Sequence, residues 1–277
     1  MSLPLYQVDA FAESAFQGNP AAIVILGLNE PDSTEFQDAS WPFDDSWMQA
    51  VAVEMNLSET AFLLGKGNQY LLRWFTPASE VDLCGHATLA SAHVLYSESI
   101  ADAGQPIQFQ TRSGLLTTSL VDGSMEMDFP AEVATECKPA DGLLEALRIE
   151  NAVSVCRNRF DWLVHVSTES VVRGLEPDFA ALANIETRGI IVTSESDADD
   201  VDFVSRFFAP RAGINEDPVT GSAHCCLSPF WSQRLGRAKL TGFQASSRGG
   251  VVCTKLNGDR VELAGTAITI FTAKLRV

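Results

Sequence analysis

The sequence predicts an α+β fold made of two matched halves, each a curved, largely antiparallel β-sheet around one central helix. Three observations lead there. First, the stretch Arg73-Trp74-Phe75-Thr76-Pro77, with Glu80, Asp82, Cys84, Gly85 and His86 after it, has a counterpart in Arg206-Phe207-Phe208-Ala209-Pro210, with Glu216, Asp217, Thr220, Gly221 and Ser222. Each reads as an aromatic strand ending at Pro, an acidic loop, and a Gly at the mouth of an apolar helix. The arginines stand 133 residues apart and the glycines 136, so the second loop is three residues longer, and this period is too long for a solenoid. Second, many short apolar runs are joined by tight turns, which favours antiparallel pairing. Third, the helix expected from about His86 to Ser97 is apolar nearly all round and needs a sheet wrapped about it.

In chain order, Leu5–Ala10 and Ala21–Gly27 read as strands around the turn residues Gly18-Asn19-Pro20. A helix follows from about Asp45 to Met55, striped by Trp47, Met48, Val51, Ala52 and Met55. Asn56 to Leu64 is a helix-to-strand junction with Glu59 in it, and Tyr70–Phe75 is the strand that opens the first repeat. Ile107–Gln110, Leu115–Val121 and Ser124–Phe129 are strands, the last two joined at Asp122-Gly123, a hairpin signal. Ala131–Pro139 reads as a linker, so the halves are expected to be 1–120, completed by a last strand at about 266–277, and 121–265. The second half adds strands at Ala152–Cys156, Asp161–Ser167, Ile190–Thr193 and Phe203–Phe208, and a short helix at Pro177–Ile185. A helix from about Ser222 to Leu235 ends at Gly236. Leu240–Ser246, Val251–Leu256, Asp259–Ala264 and Thr269–Leu275 are the closing strands.

The 277 residues are 46% hydrophobic and 20% charged, a globular composition. A formal net charge of −17 argues against nucleic-acid or anionic-membrane partners. The acidic runs Glu30–Asp45 and Glu195–Asp202 read as solvated loops. Six cysteines lack CxxC spacing, so no metal site is expected. With no apparent secretory signal, they read as free thiols in a reducing cytoplasm, and no apolar run is long enough to span a bilayer.

Helix N-termini expose unpaired N–H groups and positive partial charge. Gly85 and Gly221 let a ligand approach that backbone. The repeat therefore predicts two such ends facing one cleft and holding a small carboxylate. Around them stand the groups that can do chemistry. Glu59, in apolar surroundings, suits a general base; its plainer reading is a capping or salt-bridged acid. His86 follows Gly85, and Asp217 and Ser222 flank Gly221. Their plainer readings are a hydrogen-bonding His, a turn-initiating Asp-Pro and an N-cap. His93 and His165 read as structural. Neither a G-x-S-x-G elbow, a dinucleotide fingerprint nor a P-loop is present.

Taken together, Val8-Asp9-Ala10-Phe11, Gly18-Asn19-Pro20-Ala21-Ala22, Met55-Asn56-Leu57-Ser58-Glu59-Thr60, Asp82-Leu83-Cys84-Gly85-His86-Ala87-Thr88 and Glu216-Asp217-Pro218-Val219-Thr220-Gly221-Ser222-Ala223 resemble the PhzF-like (phenazine biosynthesis) family, as does Gln244-Ala245-Ser246 followed by Arg248-Gly249-Gly250. The resemblance spans nearly the whole chain. It implies the diaminopimelate-epimerase fold, a homodimer, and an isomerase that needs no cofactor. It implies that Glu59 takes and returns a proton, that His86, Asp217 and Ser222 bind and polarise the substrate, and that Gly85 and Gly221, with Cys84 and Thr220 beside them, hold its carboxylate. Epimerases and racemases of this fold use two facing thiols, one before each Gly. Here those positions are Cys84 and Thr220, and a threonine hydroxyl does not ionise at workable pH. This favours a one-base proton shift over stereoinversion. A racemase-like enzyme and a non-catalytic binding or regulatory protein are the competing readings, and the sequence names no substrate.

Overall fold

The computed structural model describes residues 2–29 and 39–276. Most of the acidic run from Glu30 therefore lies outside the described residues. The fold is α+β, in two units: Met1–Asp128 with Ala264–Val277, and Phe129–Leu263.

The first unit contains β1 (Ser2–Ala10), β2 (Asn19–Gly27), α1 (Asp45–Met55), β3 (Glu59–Lys66), β4 (Gln69–Phe75), β5 (Glu80–Val81), α2 (Gly85–Ser97), β6 (Ile107–Thr111), β7 (Gly114–Val121) and all but the last two residues of β8 (Ser124–Pro130). Most pairs are antiparallel, but β2/β3 and β4/β6 are parallel. Each parallel pair is bridged by a helix, because strands running the same way need a crossover. The chain's final strand, Ala267–Arg276, returns to pair antiparallel with β1.

Ten of the thirteen residues of α2 are buried, and it packs on β1, β2, β3, β7 and the final strand. A buried Leu such as Leu89 contributes about 1.5–3 kcal/mol. Two of the hydroxyls in this helix are satisfied by its own backbone: Thr88 Oγ1 donates to the Cys84 carbonyl at 2.6 Å, and Ser91 Oγ to that of Ala87 at 2.7 Å. Helix α1 is capped by Asp44, whose carboxylate accepts the Trp47 N–H, and stops at Asn56 in the left-handed region. That stop turns the chain into β3 and sets Glu59 as its first residue.

The second unit repeats the scheme with β9 (Thr135–Glu136), α3 (Leu143–Leu147), β10 (Ser154–Arg157), β11 (Asp161–His165), α4 (Glu169–Arg173), α5 (Phe179–Leu182), β12 (Gly189–Glu195), β13 (Phe203–Phe208), α6 (Gly221–Leu235), β14 (Lys239–Gln244), β15 (Gly250–Asn257) and β16 (Arg260–Gly265). Again the helix-bridged pairs, β11/β12 and β13/β14, are the parallel ones. Pro229 lies inside α6 and has no N–H to give the Cys225 carbonyl. The Glu132 N–H takes that acceptor instead, at 3.0 Å.

Several details differ from the sequence reading. The helix expected over Pro177–Ile185 is only Phe179–Leu182, capped by Asp178. The stretch Ala131–Pro139 carries β9, which pairs with β10. The acidic run ending at Asp202 is not wholly solvated: Asp202 pairs with Arg237 and accepts the Thr241 N–H. The six cysteines are unpaired, four of them buried. No described helix is long and apolar enough to cross a membrane.

Candidate active site

The two arginines of the repeat do the same work in each unit. Arg73 donates to both oxygens of Glu80 at 2.7 and 2.8 Å. Arg206 donates to both oxygens of Glu216 at 2.7 and 2.9 Å. A bidentate guanidinium–carboxylate pair has a fixed geometry, so each pair ties the strand to the loop that leads into its helix. The three-residue insertion in the second loop leaves the pair intact, because it lengthens only the span between the two partners. Arg73 also reaches Asp45 at 2.8 Å, and Arg112 adds a contact to Glu80 at 2.6 Å. Arg206 instead donates to the Leu175 carbonyl at 2.7 Å.

At the mouth of α2 the structure gathers Glu59, Cys84 and His86. His86 Nε2 stands 3.0 Å from Glu59 Oε2. Poor alignment leaves both of these buried atoms without a well-formed hydrogen bond. On its other side, His86 Nδ1 lies 3.5 Å from Cys84 Sγ and 3.3 Å from Asn19 Nδ2. Burial disfavours the imidazolium, but the charges of Cys84, once ionised, and of Glu59 outweigh it and move His86 well above its ordinary range. Burial, reinforced by Glu59, pushes the Cys84 thiol up, and His86 only partly offsets this.

One donor atom each from Glu59, Cys84 and His86 lie within 4.8 Å of one another. Among the described residues this is the group that could hold a metal ion, and its mixed donors are of a kind zinc accepts. The imidazole nitrogens, however, face different partners, Cys84 and Asn19 on one side and Glu59 on the other.

At the mouth of α6 the groups are of another kind. Thr220 is the N-cap residue, and its hydroxyl donates to Asp217 Oδ2 at 2.5 Å rather than capping the helix. Ser222, read from sequence as a possible N-cap, is the second helical residue and half-buried. Gln244 is fully buried and locks this turn. Its Oε1 accepts the Thr220 N–H at 2.9 Å, and its Nε2 donates to the Asp217 carbonyl at 2.7 Å and to Thr220 Oγ1 at 3.2 Å. Because Nε2 is a donor, the Thr220 hydroxyl must send its own hydrogen to Asp217. His224, one turn into α6, contacts the Thr220 carbonyl through Nδ1 at 2.8 Å, and burial lowers its pKa to about 4.

The sequence-predicted residues thus fall into two groups. Glu59, Cys84, Gly85 and His86 sit together in the first unit, and Asp217, Thr220, Gly221 and Ser222 sit together in the second. Asn19 and Gln244 are polar partners to which the sequence reading gave no role. Both lie in quoted motifs, but only the fold brings them to His86 and to Thr220.

A two-unit α+β fold with an acid, an imidazole and a thiol at one helix mouth and a hydroxyl network at the other defines a protein of the epimerase and isomerase architecture. The chain belongs to the phenazine biosynthesis-like family: that family's model matches residues 8–273. An uncharacterized isomerase of Halalkalibacterium halodurans is 50% identical over 276 residues, 99% of each chain. A human phenazine biosynthesis-like domain-containing protein is 36% identical over 300 residues, again 99% of each. A PhzF-family crystal structure from Enterococcus faecalis superimposes with a TM-score of 0.90 at 39% identity, covering both chains fully. A hydroxyproline epimerase from Agrobacterium vitis is similar at a TM-score of 0.61 and 10% identity, covering 99% of this chain and 92% of that one, a likeness of fold alone.

Proposed function

We propose that this protein is a cofactor-independent isomerase that shifts a proton within a small carboxylated metabolite. The observation that carries the reading is the contact between Glu59 and His86, two ionisable groups held 3.0 Å apart whose facing atoms have no well-formed bond to each other or to the protein. In the proposed reaction Glu59 removes a proton from a substrate carbon. The electron pair released moves through the adjoining π system, and the protonated Glu59 returns its proton at the far end. Proton and electrons both stay within the substrate and Glu59, so the balance needs no redox partner. His86 donates a hydrogen bond as charge develops. Asp217 and Ser222 bind and polarise the substrate, and the backbone N–H groups at Gly85 and Gly221, with Cys84 and Thr220 beside them, hold its carboxylate.

A two-thiol racemase is disfavoured because Thr220 stands where the second thiol would be, and burial disfavours a thiolate at Cys84. The test is to incubate candidate carboxylates in heavy water and follow deuterium by NMR. An isomerase converts the carboxylate to a product with new resonances, carrying deuterium at the carbon that gains the proton to the extent that protonated Glu59 exchanges with solvent. A non-catalytic binding protein would shift ligand resonances without forming any product.

A further inference from the structure

We propose that Glu59, Cys84 and His86 form a binding site for a soft divalent cation, Zn²⁺ foremost, and that an ion seated there inhibits the protein rather than serving it. The linear text conceals such a site, because none of the usual ligand spacings is present. The fold supplies it from two elements. Asn56 stops α1 in the left-handed region, and Glu59 then opens β3 beside Ala21 of β2. Cys84 is the N-cap residue of α2 and makes no side-chain capping bond. Its sulfur lies instead beside His86, the second residue of the helix.

The separations suit zinc. With Zn–N and Zn–O bonds of about 2.0–2.1 Å and a Zn–S bond of about 2.3 Å, a tetrahedral centre sets N···O edges at about 3.3 Å and N···S edges at about 3.5 Å. Here His86 Nε2 stands 3.0 Å from Glu59 Oε2, and His86 Nδ1 stands 3.5 Å from Cys84 Sγ. Each ring nitrogen thus already has one partner near ligand spacing. A single ion uses one nitrogen. One donor atom from each residue lies within 4.8 Å of the other two, so a side-chain movement of about 1–1.5 Å completes the set. The Glu59 side chain keeps 14% of its surface exposed, which gives an ion a way in.

A second observation points the same way. Glu59 Oε2 and His86 Nε2 are buried, face each other and have no well-formed hydrogen bond. Leaving such groups unsatisfied costs stability, and a cation between them would satisfy both. The local charges agree, since Glu59 and an ionised Cys84, which favour a cation on His86, favour a dication between them as well. On binding, the sulfur ends as a thiolate and the ligating nitrogen loses its hydrogen. The protons released pass to solvent, and the ion keeps its charge, so no oxidant or reductant takes part. Three protein ligands leave a fourth position for water.

The inhibition rests on the proton-shift reading, because an ion on Glu59 takes the lone pair that must accept the substrate's proton. The site itself does not rest on it, and binding is measured without substrate. Co²⁺ is the probe, since a thiolate ligand gives it a charge-transfer absorption in the near ultraviolet. Titrating metal-free protein with Co²⁺ under nitrogen should raise that absorption to an end point of one ion per chain. Zn²⁺, favoured by soft thiolate ligands, should then displace the cobalt and abolish it. Cys84→Ser should lose the absorption. Glu59→Gln should keep it but weaken Co²⁺ binding by at least the about 10–100-fold that outer-shell changes cost. The double variant Cys137→Ser/Cys253→Ser, which removes the two exposed thiols, should retain it in full. With an active substrate, stoichiometric Zn²⁺ should stop turnover and a chelator should restore it. A wild-type protein without the absorption would overturn the site. So would an absorption that survives Cys84→Ser and disappears with the exposed thiols. Undiminished turnover with a Cys84-dependent ion in place would keep the site but overturn the inhibition, together with the role given to Glu59.

Discussion

The mouths of α2 and α6 share a backbone plan and differ in their chemistry. Both follow a strand braced by an Arg–Glu pair, and both begin at a Gly whose N-cap side chain makes no capping bond. At α2 three ionisable groups touch. At α6 the corresponding space is tied up by an amide and a hydroxyl that hand a hydrogen to Asp217. The histidines separate the two: His86 is driven well above its ordinary range, while His224 is driven down to about 4. An internal repeat can therefore conserve the scaffold while one copy gathers ionisable groups and the other an amide–hydroxyl network.

The largest expected contrast is between His86 and Ser222, which occupy matching positions after each Gly. His86→Ala should lower turnover by about 10²–10³-fold, the usual cost of losing a donor at a developing charge. Ser222→Ala should cost roughly tenfold, about one hydrogen bond. Steady-state rates on an active substrate check this, and equal losses would erase the division of labour.

Next come the braces. Arg206→Met strips Glu216 of its guanidinium partner and removes the donor to the Leu175 carbonyl, so denaturant unfolding should show a loss of about 3–5 kcal/mol. Arg73→Met should cost less, about 1.5–3 kcal/mol, because Arg112 still pairs with Glu80 and Asp45 is exposed.

His224 then gives a pH signature. Its folded value lies below the ordinary 6.5, so its contribution is fully present above that pH and is lost as pH falls toward about 4. The unfolding free energy should drop by about 3 kcal/mol across that window, and His224→Gln should flatten the slope. A wild-type stability that rises on acidification would contradict the assignment.

The smallest effect is in thiol labelling. At pH 7.5 iodoacetamide should modify exposed Cys137 and Cys253 well before Cys84, whose buried thiol is pushed up. Peptide mapping reads the order.

These contrasts also show what the linear text carries. The repeat was legible because Arg, Glu and Gly recur at near-constant offsets and each has a structural duty. Helices α1, α2 and α6 were legible because their apolar content runs over three turns or more. Helices α3 and α4, five residues each, are too short to display a period. In the site, Glu59 and His86 could be named as candidates from their neighbours, but their contact spans 27 residues and arises only when β3 runs beside α2. Asn19 and Gln244 were hidden for a related reason. Asn in a Gly-Asn-Pro turn and Gln at a strand end are ordinary residues until the fold points their amides at a ring nitrogen and an N-cap.

The central claim is that one carboxylate, not a pair of thiols, moves the proton. Measuring turnover of Glu59→Gln and Cys84→Ser side by side, on the same substrate, with ligand affinity recorded for both, tests it most directly. One-base transfer predicts that Glu59→Gln keeps affinity and loses about 10²–10⁴-fold in rate, while Cys84→Ser stays within about tenfold of wild type. A Glu59→Gln protein that turns over normally, beside an inactive Cys84→Ser, would contradict it.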